Sequence, residues 1–88
     1  DTEGIVQTKP FSVPSGKLHV NANALNGELR VELLNGNGNV AAKSEPLTGD
    51  LLREQVKWAK GDMAELVGHT ASLRFTLSNG QFYSYWLE

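Results

Sequence analysis

Apolar and polar residues alternate most regularly over residues 17–34, where two alternating runs flank Asn26 and Gly27. Asn-Gly is the dipeptide that most strongly favours a two-residue type I′ turn, so the pattern predicts a β-hairpin. In that register Ala24 faces Leu29, and the other apolar residues share the same side. The opposite side is polar and carries five side chains that could contact a ligand: His19, Asn21, Asn23, Arg30 and Glu32.

Turn residues divide the rest of the first half into further elements. A strand over 5–9 is predicted at a sheet edge, because Pro10 cannot donate a hydrogen bond in a central ladder. The Asn and Gly residues over 35–39 predict a turn that leads into a strand over 40–43, as in a meander. Residues 44–50, which contain Pro and Gly, are predicted to form a loop.

In the second half, one short helical turn separates two strands. Alternation over 54–58 predicts a strand with Trp58 directed inward. Asp62 is a preferred helix N-cap and predicts a helical turn over 62–67 that is too short to be a major element. The regular alternation over 69–78 predicts a core strand with these residues inside: Ala71, Leu73, Phe75 and Leu77.

The last predicted strand, over 81–88, allows two registers. If Asn79 and Gly80 form a two-residue turn, the inward side chains are Phe82, Ser84 and Trp86. If the turn has three residues, the inward side chains are Tyr83, Tyr85 and Leu87. Because one slipped residue exchanges the two faces, the register decides whether Trp86 is exposed to a ligand.

Seven or eight short strands separated by Gly and Asn turns predict one all-β domain over 1–88, a jelly-roll-like sandwich of two antiparallel sheets. A chain of 88 residues has room for one core, and its 40% hydrophobic and 20% charged residues are typical of a globular domain. The net charge of -2 and the scattered basic residues disfavour binding to nucleic acid or to a membrane surface. No signal peptide or membrane span is recognised, and the start at Asp1 is typical of a segment of a longer protein.

Residues that commonly carry catalysis are scattered along the chain. There is no cysteine, and neither His19 nor His69 has a second His or a Cys at a metal-ligand spacing. Asp50 and Asp62 could form a glycosidase pair or hold calcium, but turn formation and helix capping account for both. We therefore expect a noncatalytic domain that needs neither a metal nor another cofactor.

Two predicted surfaces suit a carbohydrate, which presents an apolar ring face and a belt of hydroxyls. The first is the polar face of the predicted hairpin, which on the simpler interpretation is a solvated sheet face. The second surrounds Trp86 when the last turn has three residues, and it contains Ser84, Phe82 and Arg74. In the other register Tyr83 takes the place of Trp86. An exposed Trp is equally typical of a contact with a neighbouring protein domain.

Short strings spread over nearly the whole chain resemble one known family. In chain order they are Gly-Glu-Leu-Arg-Val-Glu-Leu-Leu, Asn-Gly-Asn-Gly, Leu-Thr-Gly-Asp, Val-Lys-Trp, Leu-Val-Gly, Leu-Arg-Phe-Thr-Leu and Phe-Tyr-Ser-Tyr-Trp-Leu-Glu. They resemble the C-terminal β-sandwich of bacterial glycoside-hydrolase-like proteins, in which the module follows a β-propeller catalytic region like that of family 32. The resemblance extends from Thr8 onward.

The resemblance implies a noncatalytic accessory domain of a polysaccharide-active enzyme, secreted or periplasmic. Its partners would be an oligo- or polysaccharide and the catalytic domain of the same chain. The resemblance supplies no sugar-binding motif for numbered positions. The chain departs from the family at Tyr85 and Leu87, where Phe is usual, and such apolar residues favour the register that exposes Trp86. The alternative is a structural domain that packs against its neighbour without a ligand.

Overall fold

The computed structural model describes residues 3–14 and 16–87, and it is all-β with eight antiparallel strands. The strands are β1 (Glu3–Gln7), β2 (Phe11–Ser12), β3 (Leu18–Asn35), β4 (Val40–Ser44), β5 (Leu47–Gln55), β6 (Trp58–Lys60), β7 (Thr70–Ser78) and β8 (Gln81–Leu87). Between β6 and β7 the described chain forms one 3₁₀ turn, Met63–Leu66. Glu88, which closes the predicted last strand, lies outside the described residues.

The sheet is organised around β3, which is 18 residues long and is paired along both edges. β4 and β5 follow each other along one edge of β3, and β7 and β8 follow each other along the other. β1 and β2 pair with β7, while β6 pairs with β4. The predicted meander from β3 into β4 and the predicted edge position of the first strand are therefore confirmed.

The predicted hairpin at Asn26 and Gly27 is wrong. The chain runs through both residues as part of β3, and neither has the positive φ that a type I′ turn requires. Gly27 instead permits a close approach, because a Cβ at this position would overlap the carbonyl oxygen of Ser78. A Cβ on Gly80 would likewise overlap the carbonyl oxygen of Asn23. The two glycines lie where the partner of β3 changes from β8 to β7 and the register of the β3–β5 ladder shifts, and we call this irregularity in β3 the bend.

At the bend the inward-facing positions of β3 change from even to odd residue numbers, so the apolar residues on both sides of it remain inside. The buried side chains of β3 include those that the alternation predicts: Val20, Ala22, Ala24, Leu29, Val31 and Leu33. Leu25, at the bend, is exposed. The predicted inner face of β7 is also confirmed, with Phe75 fully buried and Leu77 packed against the core. Burial of each large apolar side chain stabilises the fold by about 1.5–3 kcal/mol.

Element boundaries in the middle of the chain differ from the prediction. Most of the predicted loop over 44–50 is strand, because β5 begins at Leu47 and pairs with β3. The predicted strand over 54–58 is divided, since β5 ends at Gln55 and β6 begins at Trp58. Trp58 nevertheless packs against the core, as its phase predicts.

The short helical element agrees with the sequence. Asp62 is its N-cap, and the Asp62 carboxylate accepts a hydrogen bond from the backbone nitrogen of Ala64 at 2.9 Å. Met63 within the turn is fully buried. Gly68, just past the end, has φ 87, the left-handed conformation that favours glycine there.

Neither predicted register of the last strand is correct by itself, because β8 pairs with the first half of β3 and not with β7. Opposite β3, Tyr83 is one extra residue and forms a bulge. The bulge lets Phe82 pack against the core while Tyr85, 36% exposed, turns its ring to the same side, and their ring centroids lie 4.7 and 5.1 Å from that of Phe75. Phe82, expected on the outer surface beside Trp86, is thus an inner residue.

Candidate functional site

An open depression of about 610 Å³ lies on the outer face of β3 before the bend. It is lined by His19, Asn21, Arg53 and Trp86. We call it the Trp86 depression. Three of its four residues are candidate ligand contacts predicted from the sequence, and the fold brings them together from β3 and β8.

Trp86 forms one wall of the depression. It lies directly opposite His19 in the β3–β8 ladder, and paired residues of an antiparallel ladder project from the same face. The two ring centroids are 5.5 Å apart and the ring planes are inclined by 10°, so the rings are stacked. The stack holds the half-buried indole as a flat apolar platform.

Asn21, which also lines the depression, lies between two β-bulges. On one side the bulge is at Tyr83 of β8. On the other side β5 gains one residue opposite the stretch between Val20 and Ala22. Within this second bulge Arg53 has φ 55, a left-handed conformation that is uncommon for residues other than glycine. Bulges redirect side chains and occur often beside functional sites, and this one brings Arg53 to the depression.

The depression contains polar groups without protein partners. His19 Nδ1 and Asn21 Oδ1 are both buried and have no hydrogen-bond partner within the described part of the chain. An unpaired buried polar group costs about 1–3 kcal/mol, so most are paired in folded proteins. Arg53 forms no ion pair with any described residue, although its guanidinium can donate several hydrogen bonds. The site can therefore accept and donate hydrogen bonds beside an aromatic platform.

The second half of β3 carries Arg30 and Glu32 in a different environment. Oε1 of Glu32 accepts a hydrogen bond from Nε of Arg74 at 2.8 Å and forms an ion pair with Nη2 of the same guanidinium at 2.6 Å. Arg30 pairs with Glu28. The structure does not bring these predicted contacts to Trp86, because the bend at Gly27 separates the two halves of β3. They form a charged face on which each of these side chains is paired with another side chain of the protein.

Three predicted contacts serve local structure. Asn23 lies at the bend, where its side-chain oxygen accepts a hydrogen bond from the backbone nitrogen of Leu25 at 3.1 Å. Phe82 packs against the core. Tyr83 is 58% exposed, and its hydroxyl donates to Oε1 of Gln81 at 2.7 Å, outside the lining of the depression.

Arg53 is the lining residue that sequence reasoning missed. The signal lies just before it, where the adjacent apolar residues Leu51 and Leu52 break the alternation. Leu51 is buried and Leu52 is 68% exposed, so the second of the two adjacent apolar residues lies outside the core. A local break of this kind indicates a bulge but does not reveal which surface the bulged side chain reaches.

A second open depression, of about 700 Å³, lies beside the 3₁₀ turn. Its wall includes Trp58, whose Nε1 is buried without a described partner. The Trp58 ring packs against the core, and one oxygen of the Asp62 carboxylate caps the turn. This depression therefore has one buried unpaired polar atom, against two in the Trp86 depression.

Within residues 3–14 and 16–87, no three His, Asp or Glu side chains lie close enough together to hold a metal ion. No helix in the same ranges is long and apolar enough to cross a membrane. In comparisons with known proteins, the chain matches no protein-family model, no curated protein and no solved structure. Its function is therefore inferred from the geometry of the Trp86 depression.

Proposed function

We propose that this domain is a noncatalytic carbohydrate-binding module, an accessory domain of a polysaccharide-active enzyme. The observation that supports this function is the Trp86 depression, where a stacked indole, an unpaired amide and an unpaired guanidinium adjoin one open surface. A sugar ring requires this combination, because it has an apolar C–H face and a rim of hydroxyls.

Each lining residue has a definite role in this proposal. The indole of Trp86 packs against the apolar face of a pyranose ring. A change of side-chain rotamer turns Asn21 Oδ1 and His19 Nδ1, both buried without partners, toward the depression, where Asn21 Oδ1 accepts a hydrogen bond from a hydroxyl at the ring edge and His19 Nδ1 bonds a second hydroxyl. Arg53 donates to ring or substituent oxygens at the rim. Ligand binding thereby satisfies two polar atoms that are otherwise buried without partners.

The expected affinity is modest. The platform is one aromatic side chain, and the surplus after desolvation and ordering costs corresponds to dissociation constants from about millimolar to micromolar. Such affinity suits a module that holds a catalytic domain of the same chain near an oligo- or polysaccharide. In this proposal the parent protein is secreted or periplasmic, as the resemblance to glycoside-hydrolase accessory domains implies.

The same proposal includes a finer description of the fold, a jelly-roll-like sandwich of two sheets. The bend at Gly27 and Gly80 supports it, since the halves of β3 before and after the bend pair with different strands. Apolar residues of both halves belong to one buried cluster. Two layers facing one core is the arrangement that defines a sandwich.

A structural role without a ligand is the alternative, and exposed apolar residues favour it. β1 is an edge strand whose Ile5 and Val6 are 62% and 49% exposed. An edge strand with apolar side chains is a template for pairing with another chain or domain. If this alternative is correct, the isolated domain dimerises in sedimentation experiments, and Ile5→Lys restores the monomer.

The carbohydrate proposal is tested by titrating the isotopically labelled domain with a panel of soluble oligosaccharides and polysaccharides while following backbone amide NMR shifts. The wild type is compared with Trp86→Ala. Tyr83→Ala is the matched control, because it removes an exposed aromatic side chain from the same strand outside the depression. We expect saturable shifts at the lining residues, at least tenfold weaker binding for Trp86→Ala, and unchanged binding for Tyr83→Ala.

Two results would contradict the proposal. Absence of shifts with every glycan, together with concentration-dependent broadening, would leave the structural role. Equal loss of binding in Trp86→Ala and Tyr83→Ala would place the sugar elsewhere on β8. Unchanged shifts of core amides in each variant establish that its fold is intact.

A further inference from the structure

The chemistry of Arg53 narrows the class of ligand, on the assumption that the proposed carbohydrate function is correct. Within the described residues, positive φ angles at residues other than glycine occur at Arg53 and Asn79. Asn adopts this conformation readily because its short side chain can bond locally, whereas a long side chain gains no such compensation. Strained residues of this kind persist where the surrounding structure imposes them, and they concentrate at functional sites.

The result of the strain is a guanidinium placed on the rim of the Trp86 depression. The ion pairs formed by described residues use Arg30 and Arg74, and each of those arginines has a glutamate partner. Arg53 has no such partner among residues 3–14 and 16–87. It is also the one permanently charged side chain among the four that line the depression.

Acidic residues are present near Arg53 but do not neutralise it. Glu54 follows it in β5, and Asp50 lies opposite Asn23 in the β3–β5 ladder. Neither carboxylate forms an ion pair with Arg53. Within the described part of the chain the guanidinium therefore has no counter-charge, while the unpaired polar atoms of Asn21 and His19 provide for neutral hydroxyls.

We infer that the Trp86 depression selects sugars that carry an anionic group, and that Arg53 binds this group. The planar guanidinium presents two parallel donors that match the oxygens of a carboxylate or of a sulfate ester. Hexuronic acid residues supply the first group and sulfated sugars the second. The aromatic platform positions the ring, and Arg53 distinguishes a charged ring from its neutral counterpart.

The inference is tested with four ligands of equal length: an oligogalacturonate, its methyl ester, a neutral galactan oligomer and a sulfated galactan oligomer. Dissociation constants are measured by NMR titration at fixed ionic strength. We expect an anionic oligomer to bind about tenfold more tightly than its neutral counterpart, as a charge-assisted contact of this kind provides. The acid–ester pair reports on the carboxylate, and the two galactans report on the sulfate ester.

Two variants assign the preference to Arg53. Arg53→Gln is expected to bind charged and neutral oligomers equally. Arg30→Gln makes the same change in net charge outside the depression and is expected to keep the tenfold preference. Arg53→Lys keeps the charge but removes the planar pair of donors, and we expect it to lose most of the preference.

The outcomes separate this inference from the proposed function. If neutral and charged oligomers bind the wild type equally and Trp86→Ala abolishes both, the inference is wrong and the carbohydrate function stands. If the preference falls equally in Arg53→Gln and Arg30→Gln, it reflects net charge and the assignment to Arg53 is wrong. If none of the four oligomers binds, the inference fails, and the wider glycan panel decides whether the carbohydrate function fails with it.

Discussion

Trp86 and His19 lie opposite each other on β8 and β3, with ring centroids 5.5 Å apart and ring planes nearly parallel. The stack joins the last strand to the first half of the central strand on the outer face of the sheet. On the inner face of the same strands, Val20 pairs with Tyr85 beside the core. Contacts on both faces of the β3–β8 ladder thus hold the Trp86 indole in place.

The stack predicts energetic coupling between Trp86 and His19. Double-mutant cycles with Trp86→Ala and His19→Ala are expected to show a coupling of about 0.5–1.5 kcal/mol in the free energy of unfolding. Urea denaturation followed by circular dichroism measures it. His69, exposed and without a ring contact to Trp86, is the control and should combine additively with it. Additivity in the His19 cycle would show that the stack contributes nothing to stability.

The bend in β3 predicts opposite sensitivities at two adjacent residues. Gly27→Ala should lower the free energy of unfolding by about 1–3 kcal/mol or more, because its Cβ overlaps the Ser78 carbonyl. Asn26→Ala should change stability by less than about 0.5 kcal/mol, since Asn26 is exposed and has an ordinary φ. Gly4→Ala, with no atom within 4 Å of the added Cβ, is the control. A large cost at Asn26 would instead support a hairpin turn.

The left-handed backbone of Arg53 predicts a conflict between stability and binding. Arg53→Gly should raise the free energy of unfolding by about 1 kcal/mol, because glycine adopts φ 55 without strain. The same change should weaken glycan binding. Glu54→Gly, at an ordinary φ in the same strand, should instead destabilise the fold by about 0.5–1 kcal/mol. Thermal unfolding of the two variants in parallel checks both signs, and destabilisation by Arg53→Gly would argue against stored strain.

The charged face of the second half of β3 predicts a structural role for its ion pairs. The Glu32–Arg74 pair is partly buried and should show a coupling of about 0.5–1 kcal/mol in a double-mutant cycle. The more exposed Glu28–Arg30 pair should show almost none. Glycan affinity should be unchanged in Glu32→Gln and Arg30→Gln. A loss of affinity in either would return these residues to the binding site.

Local patterns identified much of the interior. Alternation with a two-residue period placed Val31 and Phe75 inside, because that period depends only on the geometry of a single strand. Capping chemistry placed the 3₁₀ turn at Asp62 for a similar reason, since its hydrogen bond spans two residues. Two registers of the last strand left the face of Trp86 open, but the same alternation made His19 and Asn21 recognisable as outward-facing polar side chains. Such features require no knowledge of which strands are neighbours.

The sequence by itself therefore determined an all-β chain and the inward face of its most regular strands. Only the tertiary structure decided which strands pair, because pairing depends on contacts between residues far apart in the chain. It turned the Asn26–Gly27 hairpin signal into a bend, since β5 and β8 occupy the edges of β3 that a hairpin would use. It also created the two bulges that surround Asn21. One extra residue in β5 brings Arg53 to the Trp86 depression, and one extra residue in β8 turns Phe82 away from it. No local sequence pattern shows how many residues each flanking strand places opposite β3.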